Sequence, residues 1–365
     1  MGCCGVIAEY NPFHNGHAYH LKEAKARSGG APVIAAMSGS FTQRGDAAAF
    51  DKFTRAKWAL ENGADVVLEL PTLFAMAHAE RFAWGGVSLL SATGVVDCLS
   101  FGAEDANTGL LQQAALLSLN ESEAFQSCLA RGLARGLSFP SARAAALGGL
   151  AGETLPAGLF QKPNNILAIE YIKALQKINS AIRPISVART GAGHDAPHAQ
   201  RGFSSASALR NALCANDCEA LAPYLPHGVY ADAARLVEAK AAPISTEALG
   251  GLILYALRKM PPDALALLPD VAEGLENVFY AACRDCVSYD ELLERVKTKR
   301  YTLARLRRVC ISALLGISKA DWAGNPSPRY IRVLGVRRDA LGVLSAMAKK
   351  AALPIITSKS DCRTL

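Results

Sequence analysis

The chain lacks any apolar run of the roughly 18–20 residues that a membrane-spanning helix needs. Its N-terminus also lacks a basic segment ahead of an apolar one, so neither a membrane span nor a secretory leader is expected. No Gly-Lys-Ser/Thr follows the early loop His14-Asn15-Gly16-His17, which excludes a Walker-type phosphate loop. Cys283 and Cys286 form a Cys-x-x-Cys without a second pair; two incidental thiols fit better than zinc. With no leader, the ten cysteines read as reduced thiols and the expected location is cytoplasmic.

What is present is a 365-residue chain with 51% apolar residues, enough for a substantial core and for two domains. The expected division is a nucleotide-binding part, 1–219, and a helical part, 220–365. Charge is uneven. From Arg284 to Leu365 there are 17 Lys/Arg against 7 Asp/Glu, a net of +10; the whole chain is +7, so the rest is net −3. A localised basic surface is a candidate footprint for a phosphate backbone.

The most informative stretch runs from Cys3 to Leu21. It starts as a short apolar run, as in a buried parallel strand, is broken by Asn11-Pro12, and continues as a helix from Gly16. A strand, a tight loop and a helix start bring backbone N–H groups and a positive helix end to one point, a ready-made anion site. Gly16 would let a phosphate approach, and His14 and His17 could donate to oxygens that gain charge during displacement. As two polar loop residues they would mean little; behind a buried strand and Asn-Pro they mean more.

Further strands are expected at 32–37, 65–70, 97–101 and 183–189, with helices between them. That alternation predicts an α/β fold, a Rossmann-like parallel sheet, followed by a mostly helical C-terminal region. Ligands in such sheets bind at the carboxyl ends of the strands, where His14, Ser38, Glu69 and Gly102 fall. The loop with Ser38, Gly39, Gln43 and Arg44 suits a small carboxylate or a phosphate, or is an ordinary polar loop. Asn164 and Asn165 open a helix as caps or as ligands of adenine or ribose. His194, Asp195 and His198 lack a fourth partner for a metal, and no metal site is expected. Ser204, Ser205 and Arg210 form a second anion-binding helix start, or a plain serine cap. In the basic quarter, Lys297, Lys299, Arg300, Tyr301, Arg305, Arg307 and Arg308, continuing at Arg332 and Arg337-Arg338, place tyrosine beside arginine as a base-stacking surface requires; a solvated helix face is the alternative.

Taken together, Glu9-Tyr10-Asn11-Pro12-Phe13-His14-Asn15-Gly16-His17, Met37-Ser38-Gly39 with Gln43-Arg44-Gly45, Glu69-Leu70-Pro71, Lys162-Pro163-Asn164-Asn165 and Lys297–Thr302 resemble the bacterial tRNA(Met) cytidine acetate ligase family over nearly the whole chain. The first of them has the form of the HIGH nucleotidyltransferase signature. The resemblance implies ATP (with Mg2+) and acetate as substrates, elongator tRNA(Met) as acceptor and N4-acetylcytidine as product. It implies catalytic roles for His14 and His17. ATP contacts would come from Ile7, Ala8, Glu9, Tyr10, Asn11, Pro12, Phe13, Asn15, Gly16, His20, Gly102, Asn164, Arg189, Ser204, Ser205 and Arg210. Acetate would lie at Ser38, Gly39 and Gln43, and tRNA at the basic residues named above. The competing expectations are a small-molecule adenylyltransferase, which needs no basic patch, and a non-catalytic RNA-binding protein, which needs no phosphate ligands.

Overall fold

The computed structural model describes residues 2–156, 158–189, 203–358 and 360–361. The loop with His194, Asp195 and His198 lies outside them. The first half alternates as expected: β1 (Cys3–Ala8), α1 (Asn15–Arg27), β2 (Val33–Ser38), α2 (Lys52–Glu61), β3 (Val66–Leu70), α3 (Thr72–Ala75), α4 (Ala79–Ala92) and β4 (Val96–Ala103). Helices α5 (Thr108–Leu119), α6 (Glu123–Ala134), α7 (Phe139–Ala151) and α8 (Pro163–Lys177) lead to β5 (Arg183–Ala188). Then come α9 (Ala206–Cys214), α10 (His227–Glu238), α11 (Gly250–Arg258), α12 (Pro262–Ala266), α13 (Leu275–Asp285), α14 (Tyr289–Val296), α15 (Leu303–Leu315) and α16 (Lys319–Gly324). The chain ends in β6 (Ile331–Val336), α17 (Leu341–Lys350) and β7 (Ile355–Ile356).

The sheet order is β5-β4-β1-β2-β3-β6-β7. Strands β1 to β5 are mutually parallel, and β6 runs antiparallel to β3. Side chains alternate between faces, so β2 sends Ile34 and Ala36 to one core and Val33, Ala35 and Met37 to the other. Helices cover both sides, which is why β2 and β3 carry nothing but buried residues. From β1 the chain steps to β2 on one side and later to β4 on the other. The crevice between the carboxyl ends of β1 and β4 is therefore the topological switch point where such sheets bind ligands.

The packing does not divide at 219/220. Val229 and Ala233 of α10 belong to the core on the α1 face of the sheet, whereas α11, α13, α14 and α15 form a third core of their own. Residues 331–356, expected in the helical part, return to extend the sheet. The physical reason is the edge of β3, whose five residues are all buried; β6 supplies its hydrogen-bonding partner. The basic residues consequently do not share one face. Arg332 stands opposite Glu69 at the carboxyl end of β3, while Val336 stands opposite Val66 at its start. Arg337 is bound to Asp65 there, so Arg337-Arg338 lie at the amino end of β3, away from the β1 loop. Among the described residues, no helix is long and apolar enough to cross a membrane.

Candidate active site

The β1 loop folds its two histidines onto each other. Their ring centroids are 3.7 Å apart and nearly parallel, at 23°. His14 is the N-cap of α1: its Nδ1 accepts the Gly16 N–H at 3.0 Å, and the Nδ1 of His17 accepts the His14 N–H at 3.3 Å. This is a capping box in which imidazoles replace the usual hydroxyl and carboxylate. With both Nδ1 atoms accepting, the neutral rings carry their protons on Nε2, which leaves two N–H donors at the switch point. Burial pushes the His14 imidazole down to about 3, with Arg189 adding to it. Burial, then His14, Arg189 and His20, hold His17 well below its ordinary value. His20 is pushed down to about 4 by burial and by Arg189, and its Nε2 meets Ser100 Oγ of β4 at 3.1 Å.

This differs from an open helix N-terminus. The Asn15 amide is taken by the Tyr224 carbonyl and the Gly16 amide by His14; the His17 amide bonds the His14 carbonyl. The donors left over at this helix start are imidazole N–H groups rather than backbone amides. Gly16 has a corresponding use: a Cβ would stand 2.9 Å from His14 Cε1, so the glycine makes room for the capping ring. The Asn15 side chain donates to the Pro223 carbonyl at 3.1 Å, which braces the helix start. Tyr10 and Phe13 are buried, and their rings pack on His17 at 5.0 and 5.6 Å. Ile7 and Ala8 close β1 with their side chains packed against the sheet cores, and Pro12 follows in the turn.

The other expected pieces converge on this point. Arg189, just past β5, bonds the Ala103 carbonyl through its N–H, and its Nη1 donates to Asn164 Oδ1 at 3.2 Å. Gly102 lies beneath the same arginine, whose Cγ is 3.4 Å from where a Cβ would be. The two asparagines divide their roles. Asn165 is fully buried and bonds Asp105 and the Leu159 carbonyl, whereas Asn164 faces Arg189 and Glu104. Ser205 caps α9, its Oγ accepting from the Ala208 N–H at 3.1 Å, and Ser204 precedes it. Arg210 Nη1 reaches the Asn11 carbonyl at 2.9 Å, which ties α9 to the β1 loop. Burial lowers the Arg210 guanidinium, against the pull of Asp46 and Glu9.

Beside this lies the loop after β2. Ser38 is fully buried, and its hydroxyl has no hydrogen-bond partner among the described residues. Gly39 lies against Glu69, and the Gln43 N–H donates to Glu9 at 2.7 Å. Burial raises the Glu9 carboxyl, opposed by the Gln43 N–H and by Arg210, Arg44 and Arg55.

Arg55 is the residue sequence reasoning missed. Fully buried on α2, it donates to the carbonyls of Phe50, Glu9, Ser38 and Gly39, fastening the end of β1 to the end of β2. The signal was an arginine on the same helix face as Trp58 and Ala59. Glu69, expected at the carboxyl end of β3, is held there by Lys52 at 2.6 Å and Arg332 at 3.2 Å.

A family model described as HIGH Nucleotidyl Transferase matches residues 1–364. A tRNA(Met) cytidine acetate ligase of Thermoanaerobacter sp. (strain X514) is 40% identical over 361 residues, covering 99% of this chain and 90% of the relative. A crystal structure of Thermotoga maritima TmcAL bound with alpha-thio ATP superposes with a TM-score of 0.91 at 38% identity, over 100% of this chain and 87% of that one. The chain belongs to the tRNA(Met) cytidine acetate ligase family.

Within this ligase fold the basic quarter is less uniform than its sequence. Tyr301 is buried, with its hydroxyl donating to the Glu273 carbonyl at 3.4 Å. Arg308 is buried too, paired with Asp270 at 2.6 Å. Arg307 pairs with Asp46 at 2.9 Å, and Arg305 lies over the Tyr301 ring while donating to the Asp270 carbonyl. Arg332 is engaged by Glu69 and Arg300 by Glu273 at 3.0 Å. The basic run, with Tyr301 as an aromatic beside arginine, was expected on the RNA face; in the structure Tyr301 and Arg308 are buried, and Arg307 and Arg332 are ion-paired within the fold. Lys297 and Lys299 remain exposed, with Arg300 beside them.

Proposed function

We propose that the chain activates acetate with ATP and transfers the acetyl group to N4 of the wobble cytidine of elongator tRNA(Met), giving N4-acetylcytidine. The observation that carries this reading is the stacked His14–His17 pair. Its Nδ1 atoms are occupied and its Nε2–H groups are left for phosphate at the β1/β4 switch point, in a chain of this family.

An acetate oxygen attacks the α-phosphorus of ATP, the bond from that phosphorus to the bridging oxygen breaks, and pyrophosphate leaves. No protein nucleophile is needed; the site orients the reactants and neutralises charge. His14 and His17 donate to the phosphate oxygens, Ser204, Ser205 and Arg210 hold the leaving pyrophosphate, and Arg189 with Asn164 lines the nucleoside side. The unpartnered, buried hydroxyl of Ser38 supports an acetate position beside Gly39 and Gln43. In the second step the cytosine N4 attacks the acetyl carbon, the bond to the AMP oxygen breaks, and N4 loses a proton. The base leaves its stack to reach the site, and Lys297, Lys299 and Arg300 hold the RNA backbone. Among the described residues no group of three metal-ligating side chains occurs. Magnesium accompanying ATP would neutralise charge on the phosphate oxygens. A cytoplasmic location is in keeping with an enzyme that uses ATP and tRNA.

The test is exchange of labelled pyrophosphate into ATP. The expected exchange requires acetate and falls by about 10²–10³ in His17→Ala. Exchange that ignores acetate, or that survives His17→Ala, contradicts the reading.

A further inference from the structure

The loop after β2 is shared between two cores. Its start, Ser38 and Gly39, borders the β1 loop, and the Gln43 amide donates to Glu9. Its other side is built into the helical region. Phe41 packs against the core formed by α11, α13, α14 and α15. Gly45, at φ +77°, comes so near α15 that a Cβ would stand 2.5 Å from the Arg308 nitrogen. Asp46 pairs with Arg307 at 2.9 Å, and the Ala47 N–H donates to Thr246 Oγ1 at 3.0 Å. Arg308, only 6% exposed, donates through Nη1 to the Gln43 carbonyl at 3.2 Å and through Nε to Asp270 at 2.6 Å. Gln43 is therefore held from both sides, its N–H by the sheet and its C=O by the helical region.

We propose that Arg308 is a positioning residue for acetate activation: it fixes the Gln43 peptide between Glu9 and the helical region, so that the region carrying the RNA face also sets the acetate side of the site. This rests on the acetate reading of the loop. A planar guanidinium can hold the Gln43 carbonyl and the Asp270 carboxylate at once; a lysine keeps the charge but loses that fork.

The experiment titrates acetate and ATP separately in pyrophosphate exchange, on full-length wild type, Arg308→Lys and Asp46→Asn, and measures tRNA binding for each. Arg308→Lys is expected to raise the KM for acetate about 10- to 100-fold, the usual consequence of a misplaced reactant. The KM for ATP and the Kd for tRNA are expected to move by less than about twofold, since Arg308 faces neither ligand in this account. Asp46→Asn, which cuts the neighbouring Arg307 link, is expected to shift the acetate KM in the same direction by less. A fall in kcat with both KM values unchanged indicates a purely structural role. Weaker tRNA binding with unchanged acetate KM indicates a direct RNA contact. Either result overturns the proposal. If Arg308→Lys does not fold, Asp46→Asn decides it, and an unchanged acetate KM overturns it. Acetate-independent exchange by wild type is a separate failure, that of the acetate reading itself.

Discussion

His14 and His17 stack at 3.7 Å with their Nδ1 atoms turned to the backbone, so the residues that cap α1 are also the donors that face the switch point. In the proposed reading, capping and phosphate recognition are joined in one pair of rings. The account predicts that His14→Ala lowers acetate-dependent exchange by about 10²–10³ and also costs about 1 kcal/mol of stability through the lost cap. Kinetics and denaturant midpoints measured on the same variant check both parts.

The depressed imidazoles make a pH prediction with a definite sign. His14 sits at about 3 and His20 at about 4 when folded, against about 6.5 in the unfolded chain, and His17 is likewise lowered. Above pH 6.5 neither state binds these protons. Below it the unfolded chain takes up protons that the folded site refuses, so stability is present above pH 6.5 and is lost as pH falls toward 4. The slope approaches about 1.4 kcal/mol per pH unit for each histidine. Denaturation midpoints between pH 7 and 4.5 should drop for wild type and drop less steeply for His20→Gln. Identical slopes contradict the assignment.

Arg55 should be one of the most sensitive single positions in the chain. Arg55→Ala leaves four strand-end and loop carbonyls without their donor, at an expected cost of about 3–5 kcal/mol. Arg55→Lys should recover only part of it, because an ammonium cannot reach all four. Urea unfolding monitored by fluorescence decides this, and a change below about 1 kcal/mol for Arg55→Ala would sink the clamp interpretation.

The paired asparagines should separate binding from stability. Asn164→Ala is expected to raise the KM for ATP several-fold with little change in unfolding midpoint. Asn165→Ala, which removes a partly buried bond to Asp105 and a buried one to the Leu159 carbonyl, is expected to lower stability by about 1–3 kcal/mol. The reverse pattern would move the nucleotide contact to Asn165.

The exposed lysines should account for the salt dependence of RNA binding. Removing Lys297 and Lys299 together is expected to reduce the slope of log K against log salt by between one and two, as for two lost phosphate contacts. Arg332→Ala should leave that slope unchanged and instead loosen Glu69. Binding titrations from 50 to 200 mM salt distinguish these outcomes.

How much of this was legible in the sequence depended on the physics of each element. Strands β1 to β4 showed as apolar runs because parallel strands buried on both faces tolerate little else. The histidine pair and the Ser205–Arg210 helix start were readable from spacing, and the structure brings them together through the Arg210–Asn11 bond. Strand β6 was not readable: it lies in a basic stretch, is only partly buried, and owes its existence to the distant edge of β3. Arg308 and Tyr301 were expected on the RNA face because neither local charge nor a tyrosine beside arginines shows what a side chain faces, and both are buried. Their partners Asp270 and Glu273 lie about thirty to forty residues away. The first amide of α1, that of Asn15, is occupied by the Tyr224 carbonyl, about two hundred residues further along the chain.

The most direct test of the central claim is transfer of labelled acetate to elongator tRNA(Met) with excess enzyme, followed by nucleoside analysis. The account predicts label in N4-acetylcytidine at the wobble position only, AMP and pyrophosphate released in equal amounts, and no label in a transcript with uridine at that position. Label incorporated without ATP, or release of ADP and phosphate in place of AMP and pyrophosphate, would contradict it.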